Sequence, residues 1–282
     1  MLNRMVQFVM SSIDKVVKLF YHCEVHSKHE KIAKNTSLYC STSSGFLQKP
    51  YPDQVRILTV DTLLVLINFA LLLGIKFSEL SNMNSQIVLD LFLSFVLVDL
   101  SSGLIHLFLD QPSTKNHRFS IVRQLALQFQ DHHDKPYDNT LPPAYHIVFN
   151  FTVATIPLIM IFWLTQVVTK VNFYYYSIFT FLFMCIGQYS HRNCHLTDSE
   201  RMWVCNTLVK ANILMNPKNH HKHHKTFDCE YAILSGWTNP LIHALTKCPG
   251  FGVDNPRWGL ITLSCYIFVM PLAKVFLHYI AT

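Results

Sequence analysis

Four apolar stretches of the chain predict membrane-crossing helices. They run from Ile57 to Ile75, from Ile87 to Leu109, from Ile147 to Thr169 and from Phe173 to Gly187. About 20 consecutive apolar residues are needed to cross the roughly 30 Å of hydrocarbon in a bilayer. Only a few residues join the last two stretches, which predicts an antiparallel hairpin of helices. The pattern therefore predicts an all-α integral membrane protein with about four transmembrane helices.

Polar and apolar segments divide the chain into three parts. Residues 1–56 form a basic N-terminal segment that is either flexible or a targeting sequence. Residues 57–258 contain the predicted spans and the long polar loops, and we interpret them as one membrane-embedded domain. Residues 259–282 predict an apolar, membrane-associated C-terminal helix, in which Pro271 and Lys274 leave open whether it crosses the bilayer or lies in the interface.

Composition supports a membrane protein and excludes several other classes. Half of the residues are hydrophobic and only 14% are charged, whereas soluble domains carry about 25% charged residues. The eight cysteines include no CxxC pair, so neither a disulfide scaffold nor a cysteine metal site is indicated. The net charge of +6 has no basic stripe of the kind a nucleic-acid groove binder needs.

The distribution of Lys and Arg predicts the orientation in the membrane. Residues 1–56 carry eight of them, residues 110–145 four and residues 192–258 eight, whereas the opposite loops carry only Lys76 and Lys170. Because short cytoplasmic segments carry the excess of basic residues, both long loops are predicted to face the cytoplasm.

Histidines are concentrated in these cytoplasmic segments. In a helix His220, His223 and His224 would lie at i, i+3 and i+4 and project from one face, whereas His221 would face away. Imidazole is a common ligand of zinc, copper, iron and nickel, so this spacing favours a metal site over a solvated basic run. His191 and His195 repeat the i, i+4 spacing at the end of the fourth apolar stretch.

The second apolar stretch brings further polar groups to the same side. Asp99, Gly103, His106 and Asp110 are separated by four, three and four residues, which places them on one stripe of a helix. Ionisable residues in a membrane helix are costly and by default functional.

With His132 and His133 in the first long loop, eight histidines converge on one face. One zinc ion takes only about four ligands, so this number predicts two metal ions. Iron suits an all-nitrogen site with open positions, although zinc, copper and nickel fit imidazole as well. Nearby carboxylates are predicted to orient the imidazoles by accepting their second N–H; they are Asp99, Asp110, Asp131 and Asp134.

Four motifs together resemble the Kua-type lipid desaturases, a family that includes plasmanylethanolamine desaturase and a plastid palmitate desaturase acting on phosphatidylglycerol. The resemblance covers roughly residues 90–242. Its motifs are Asp99-Leu-Ser-Ser-Gly-Leu-Ile-His106, Phe129-Gln-Asp-His-His133, His191-Arg-Asn-Cys-His195 and His220-His-Lys-His-His224 followed by Ser235-Gly-Trp237.

The resemblance implies a di-iron centre that uses O2. Its implied ligands are His106, His132, His133, His191, His195, His220, His223 and His224. His146 is added because the family has a further histidine after the His-His pair, and Asp228, which stands where the plasmalogen enzyme has another histidine, joins the supporting carboxylates.

The leading functional hypothesis is formation of the vinyl-ether double bond of plasmalogens from the alkyl chain of an ethanolamine phospholipid. Alternatives are an acyl desaturase acting on a phosphatidylglycerol-type lipid, a hydroxylase with the same ligands, a histidine-rich metal transporter and a scaffold that binds no iron. A desaturase would need a separate electron donor, and the basic face fits an acidic b-type cytochrome or ferredoxin. The endoplasmic reticulum is the expected membrane, with a plastid or another organelle as the alternative.

Overall fold

The computed structural model describes residues 85–140 and 144–281, and in this part of the chain the regular structure is entirely helical. Its helices in order are α1 (Ser85–Leu109), α2 (Ser120–Asp134), α3 (Ala144–Thr169), α4 (Tyr174–Cys194), α5 (Trp203–Lys210), α6 (Pro217–Thr226), α7 (Asn239–Lys247), α8 (Trp258–Ser264) and α9 (Met270–Ala281). Short 3-10 turns at Pro112–Asn116 and Pro136–Thr140 flank α2. The basic segment 1–56 and the predicted span Ile57–Ile75 lie outside the described residues.

Helix α1 is the centre of the fold. It packs against α4 on one side and against α8 and α9 on another, and α3 packs against α4. The core between them includes Leu104, Leu107, Phe162, Tyr176 and Trp258, which are almost completely buried. The predicted helical hairpin is present, since α3 ends at Thr169 and α4 begins at Tyr174.

Two of the described helical segments are long and apolar enough to cross a membrane. They are Gln86–Leu109, which matches the second predicted span, and Trp258–Ile280. In α3, which is 26 residues long, the part whose side chains the structure describes includes the apolar segment Thr155–Thr169. The predicted span Phe173–Gly187 lies within α4, which continues through polar residues to Cys194 and is not one of these two segments.

The C-terminal helix is continuous despite its proline and lysine. A π-helical turn at Cys265–Val269 joins α8 to α9, and Pro271 is the second residue of α9. The missing N–H of this proline therefore lies directly after a local change in the helical hydrogen-bond pattern. Lys274 is buried and its Nζ lies 2.6 Å from Oδ1 of Asp90 on α1. The charge of Lys274, which left open whether this helix crosses the bilayer, is therefore paired with Asp90 inside the protein.

Candidate metal centre

Helix α6 supplies three of the candidate ligands. Asn216 caps its N-terminus by accepting a hydrogen bond from the backbone N–H of Lys218, and Pro217 occupies the first turn. The helix ends at Phe227, which adopts a left-handed conformation at φ 57°. Within this short helix His220 and His223 are completely buried, whereas His221 is exposed, as the helical spacing predicted.

Five imidazoles form the first donor group. Their ligand nitrogens all lie within 4.8 Å of one another, and they belong to His132, His191, His195, His220 and His224. The Nε2 atoms follow one another at 3.0 to 3.1 Å, from His191 to His132, His195, His220 and His224. Helices α2, α4 and α6 and the residue directly after α4 thus converge on one point.

Hydrogen bonds alone cannot satisfy this arrangement. The Nε2 of His132 meets the Nε2 atoms of both His191 and His195, yet a ring nitrogen of a neutral imidazole carries either one hydrogen or one lone pair. Burial lowers the pKa of His195 to about 4 and that of His224 to about 2, so both rings are neutral near pH 7. Neutral rings with converging lone pairs fit a bound cation.

Three imidazoles and one carboxylate form the second donor group, which consists of His106, Asp110, His133 and His223. The Nε2 atoms of His106 and His223 lie 3.3 and 3.2 Å from Oδ2 of Asp110. The Nε2 of His133 lies 3.1 Å from Oδ1 of the same carboxylate. His106 Nε2, His223 Nε2 and Asp110 Oδ2 are buried and have no hydrogen-bond partner among the described residues, which also fits a cation.

The two groups are neighbours because each of two pairs of consecutive histidines contributes one ring to the first group and one to the second. His132 belongs to the first group and His133 to the second, while His223 belongs to the second and His224 to the first. Successive residues of a helix point about 100° apart, so each pair places one ring in each group. The ring centroids of His133 and His224 are 4.5 Å apart, so the two groups are in direct contact through these side chains.

The structure shows what surrounds each of the predicted carboxylates. Asp110 was expected to orient an imidazole from behind, but its oxygens face the Nε2 atoms, so it is itself a candidate ligand. Asp99 is buried and accepts hydrogen bonds from residues 235–238, not from an imidazole. Asp131, Asp134 and Asp228 are exposed, and their predicted orienting role stays a prediction.

Two backbone carbonyls take the orienting role instead. The Nδ1 of His106 lies 2.9 Å from the carbonyl oxygen of Tyr231, and the Nδ1 of His223 lies 2.7 Å from that of Cys229. Protonation at Nδ1 leaves the Nε2 lone pair free to bind metal. Carbonyl partners carry no side-chain signal in the sequence, which is why these two were not predicted.

The remaining candidate, His146, lies in α3, but its side chain is outside the described part of the structure. The other eight predicted histidines all belong to one of the two donor groups. Gln130, which was not singled out as functional, holds α2 against α1, because its Nε2 donates to the carbonyl oxygens of Leu109 and Gln111.

A cavity of about 370 Å³ opens beside the second donor group. Asp110 and His133 form part of its wall, together with the apolar side chains of Leu107, Phe227 and Tyr231. The wall also contains four further charged side chains, which are Lys115, Asp134, Asp228 and Asp254. The second group is therefore accessible to a molecule larger than water.

Comparison with protein families gives one match, which covers the site. Residues 95–247, more than half of the chain, match the family model described as the lipid desaturase domain. The match includes both donor groups, whereas α8 and α9 lie beyond it. No curated protein and no solved structure matches the chain significantly.

Proposed function

Since the chain belongs to the lipid desaturase domain family, we propose that it is an O2-dependent, di-iron membrane desaturase that forms the vinyl-ether bond of plasmalogens in ethanolamine phospholipid. The observation that carries the proposal is the pair of adjacent histidine-rich donor groups at the end of an apolar helix, α1. We further propose four membrane spans, with the histidine face cytoplasmic and the endoplasmic reticulum as the membrane.

The reaction needs two electrons from outside the chain. Two hydrogen atoms leave adjacent methylenes of the lipid as a double bond forms, and they supply two electrons and two protons. O2 takes these up together with two electrons from the donor and two protons from solvent, giving two molecules of water. Bound iron would supply the activation of O2, whose chemistry the protein does not provide. The protein's own residues hold the ions, orient the imidazoles and admit the lipid beside the second group.

A separate electron donor fits the surface behind the first group. Helix α6 buries His220 and His223 on one side and exposes Lys218, Lys222 and Lys225 on the other. A helix with its side chains is about 10–12 Å thick, so a donor on this face would be close to the ligands. The positive face favours a small acidic protein such as a b-type cytochrome or a ferredoxin.

The charges of the cavity support an amine-bearing headgroup over phosphatidylglycerol. Four of the charged wall residues are aspartates, with Lys115 as the one lysine in the wall. An ethanolamine headgroup offers an ammonium to the carboxylates and a phosphate to the lysine, whereas phosphatidylglycerol offers the carboxylates no cation. The vinyl-ether bond adjoins the glycerol, so a headgroup near the second donor group would place the reacting carbons close to it.

The proposal is tested by lipid mass spectrometry. Cells that lack plasmalogens are supplied with alkylglycerol and express either this chain or its His223→Ala variant. We expect vinyl-ether ethanolamine lipids only with the unsubstituted chain, because His223 belongs to the second donor group. A new acyl double bond in phosphatidylglycerol would support the alternative substrate, and a purified chain that binds no iron would contradict the di-iron mechanism.

A further inference from the structure

Residues 229–238, which we call the strap, lie along the C-terminal half of α1, from His106 in the second donor group to Asp99. The strap follows α6 in the chain and leads into α7. Ile233 N–H donates to Oγ of Ser102 at 3.2 Å, and Oγ of Ser190 on α4 donates to the carbonyl of Leu234 at 3.0 Å. The strap is thus an irregular, mostly buried segment that contacts both α1 and α4.

The strap lies very close to α1 at one glycine. A Cβ at Gly103 would lie 3.0 Å from the backbone nitrogen of Ala232, closer than such contacts normally are. Ala232 and Leu234 are completely buried. The path of the strap is therefore fixed by close packing as well as by hydrogen bonds, so a shift at one end moves its neighbours.

One end of the strap orients the second donor group. The carbonyls of Cys229 and Tyr231 accept from Nδ1 of His223 and His106, two of the three imidazoles in that group. The other end is held by Asp99, which is completely buried. Its Oδ1 accepts from the N–H groups of Ser235 and Gly236 at 2.8 and 3.0 Å. Its Oδ2 accepts from the N–H and the hydroxyl of Thr238 at 2.9 and 2.8 Å.

We propose that Asp99 is a positioning residue for the metal ion of the second donor group, and that it acts through the strap without touching an imidazole. This inference rests on the proposed function to the extent that each donor group holds an ion. Four hydrogen bonds to one buried carboxylate fix the far end of the strap, and the two carbonyls transmit that position to His106 and His223. Beside the first donor group, the strap contacts the hydroxyl of Ser190, which precedes His191, and this contact is not made to an imidazole.

The test is a titration of the metal-free, detergent-solubilised full chain with Co2+. Binding is followed by visible absorbance and by metal content per chain, so no lipid turnover is needed. Asp99→Asn keeps the shape of the side chain but replaces one carboxylate oxygen with an NH2 group. That group donates hydrogen bonds, so it cannot accept from the N–H and hydroxyl donors of the strap. Loss of a partner that orients metal ligands typically lowers metal affinity by about 10–100-fold. We expect that decrease for one of the two ions and an unchanged affinity for the other.

Asp90→Asn is the matched control, because Asp90 is a buried carboxylate on the same helix that pairs with Lys274 and not with the strap. Both variants are expected to lower the thermal unfolding temperature, but only Asp99→Asn to change one ion's affinity selectively. Equal loss of both ions in Asp99→Asn, or unchanged binding of both, would overturn the proposal.

Ser102→Ala gives a milder variant in case Asp99→Asn does not fold. It removes the acceptor of Ile233 N–H in the middle of the strap, so a smaller selective decrease in the affinity for the same ion is expected. Unchanged affinities for both ions would again contradict the proposal. A chain that binds two ions but forms no lipid product would contradict the proposed function and leave the assignment of Asp99 standing.

Discussion

The two donor groups differ in chemistry and in what holds them. The first group has five imidazoles and no carboxylate, and its rings come from α2, α4, α6 and the residue after α4. The second group has three imidazoles and Asp110, two of its rings are oriented by the strap, and it borders the cavity. An ion in the second group would therefore be partly neutralised by its ligands and lie nearer to a substrate.

This difference indicates a division of roles. The first group takes two of its five imidazoles from the lysine-bearing helix α6. We expect its metal affinity to come from the large number of its ligands. The second group is built from fewer ligands with more supporting contacts, so its geometry depends on residues that do not touch the ion. Changes to a ligand and changes to a support should consequently have different effects in the two groups.

The largest effect is expected for His220→Ala in the first group. The Nε2 of His220 lies 3.0 Å from those of both His195 and His224, so its loss opens a gap within the group. We expect one ion to be lost and lipid desaturation to fall below detection. His221→Ala is the control on the same helix, since His221 is exposed. Full metal content in purified His220→Ala would contradict the assignment of the first group.

A smaller and more selective effect is expected for Asp110→Asn in the second group. The variant removes the one carboxylate near three imidazoles. By analogy with other losses at metal sites, the affinity for one ion should fall by at least about 10–100-fold, while the other ion stays bound. Asp131→Asn is the control, because Asp131 is an exposed carboxylate of α2. Equal effects of the two variants on Co2+ binding would show that Asp110 is not a ligand.

Eight histidines singled out from helical spacing and from the motif pattern lie together in two donor groups, but the contacts that support these groups were not predicted. The contact between Asp99 and residues 235–238 joins positions more than 130 residues apart, and its acceptors meet backbone N–H groups that any sequence carries. Helical spacing placed Asp110 one turn after His106, but it does not show which way a carboxylate turns.

The membrane-facing fold was predicted less well for a related reason. Lys274 and Pro271 left open whether the C-terminal helix crosses the bilayer, because a hydropathy scale counts a lysine as unfavourable whatever its partner. In the structure Asp90 on α1 lies 2.6 Å from the lysine, and both side chains are almost fully buried. The sequence does not show which carboxylate pairs with Lys274, so the contact between these two distant apolar segments could not be predicted from it.

The smallest effect on either donor group is expected from changing this ion pair. Lys274→Met would leave Asp90 buried without its partner, and breaking a buried pair typically costs about 3–5 kcal/mol of folding free energy. The thermal unfolding temperature should fall, whereas the Co2+ affinities of the folded protein should be unchanged for both ions, because the pair contacts neither group. Asp90→Leu combined with Lys274→Met should recover most of the stability, since an apolar pair often replaces a buried ion pair without loss. If Lys274→Met instead weakened one ion selectively, α9 would be part of that donor group's support. The comparison would then need to include a helix that lies outside the matched family domain.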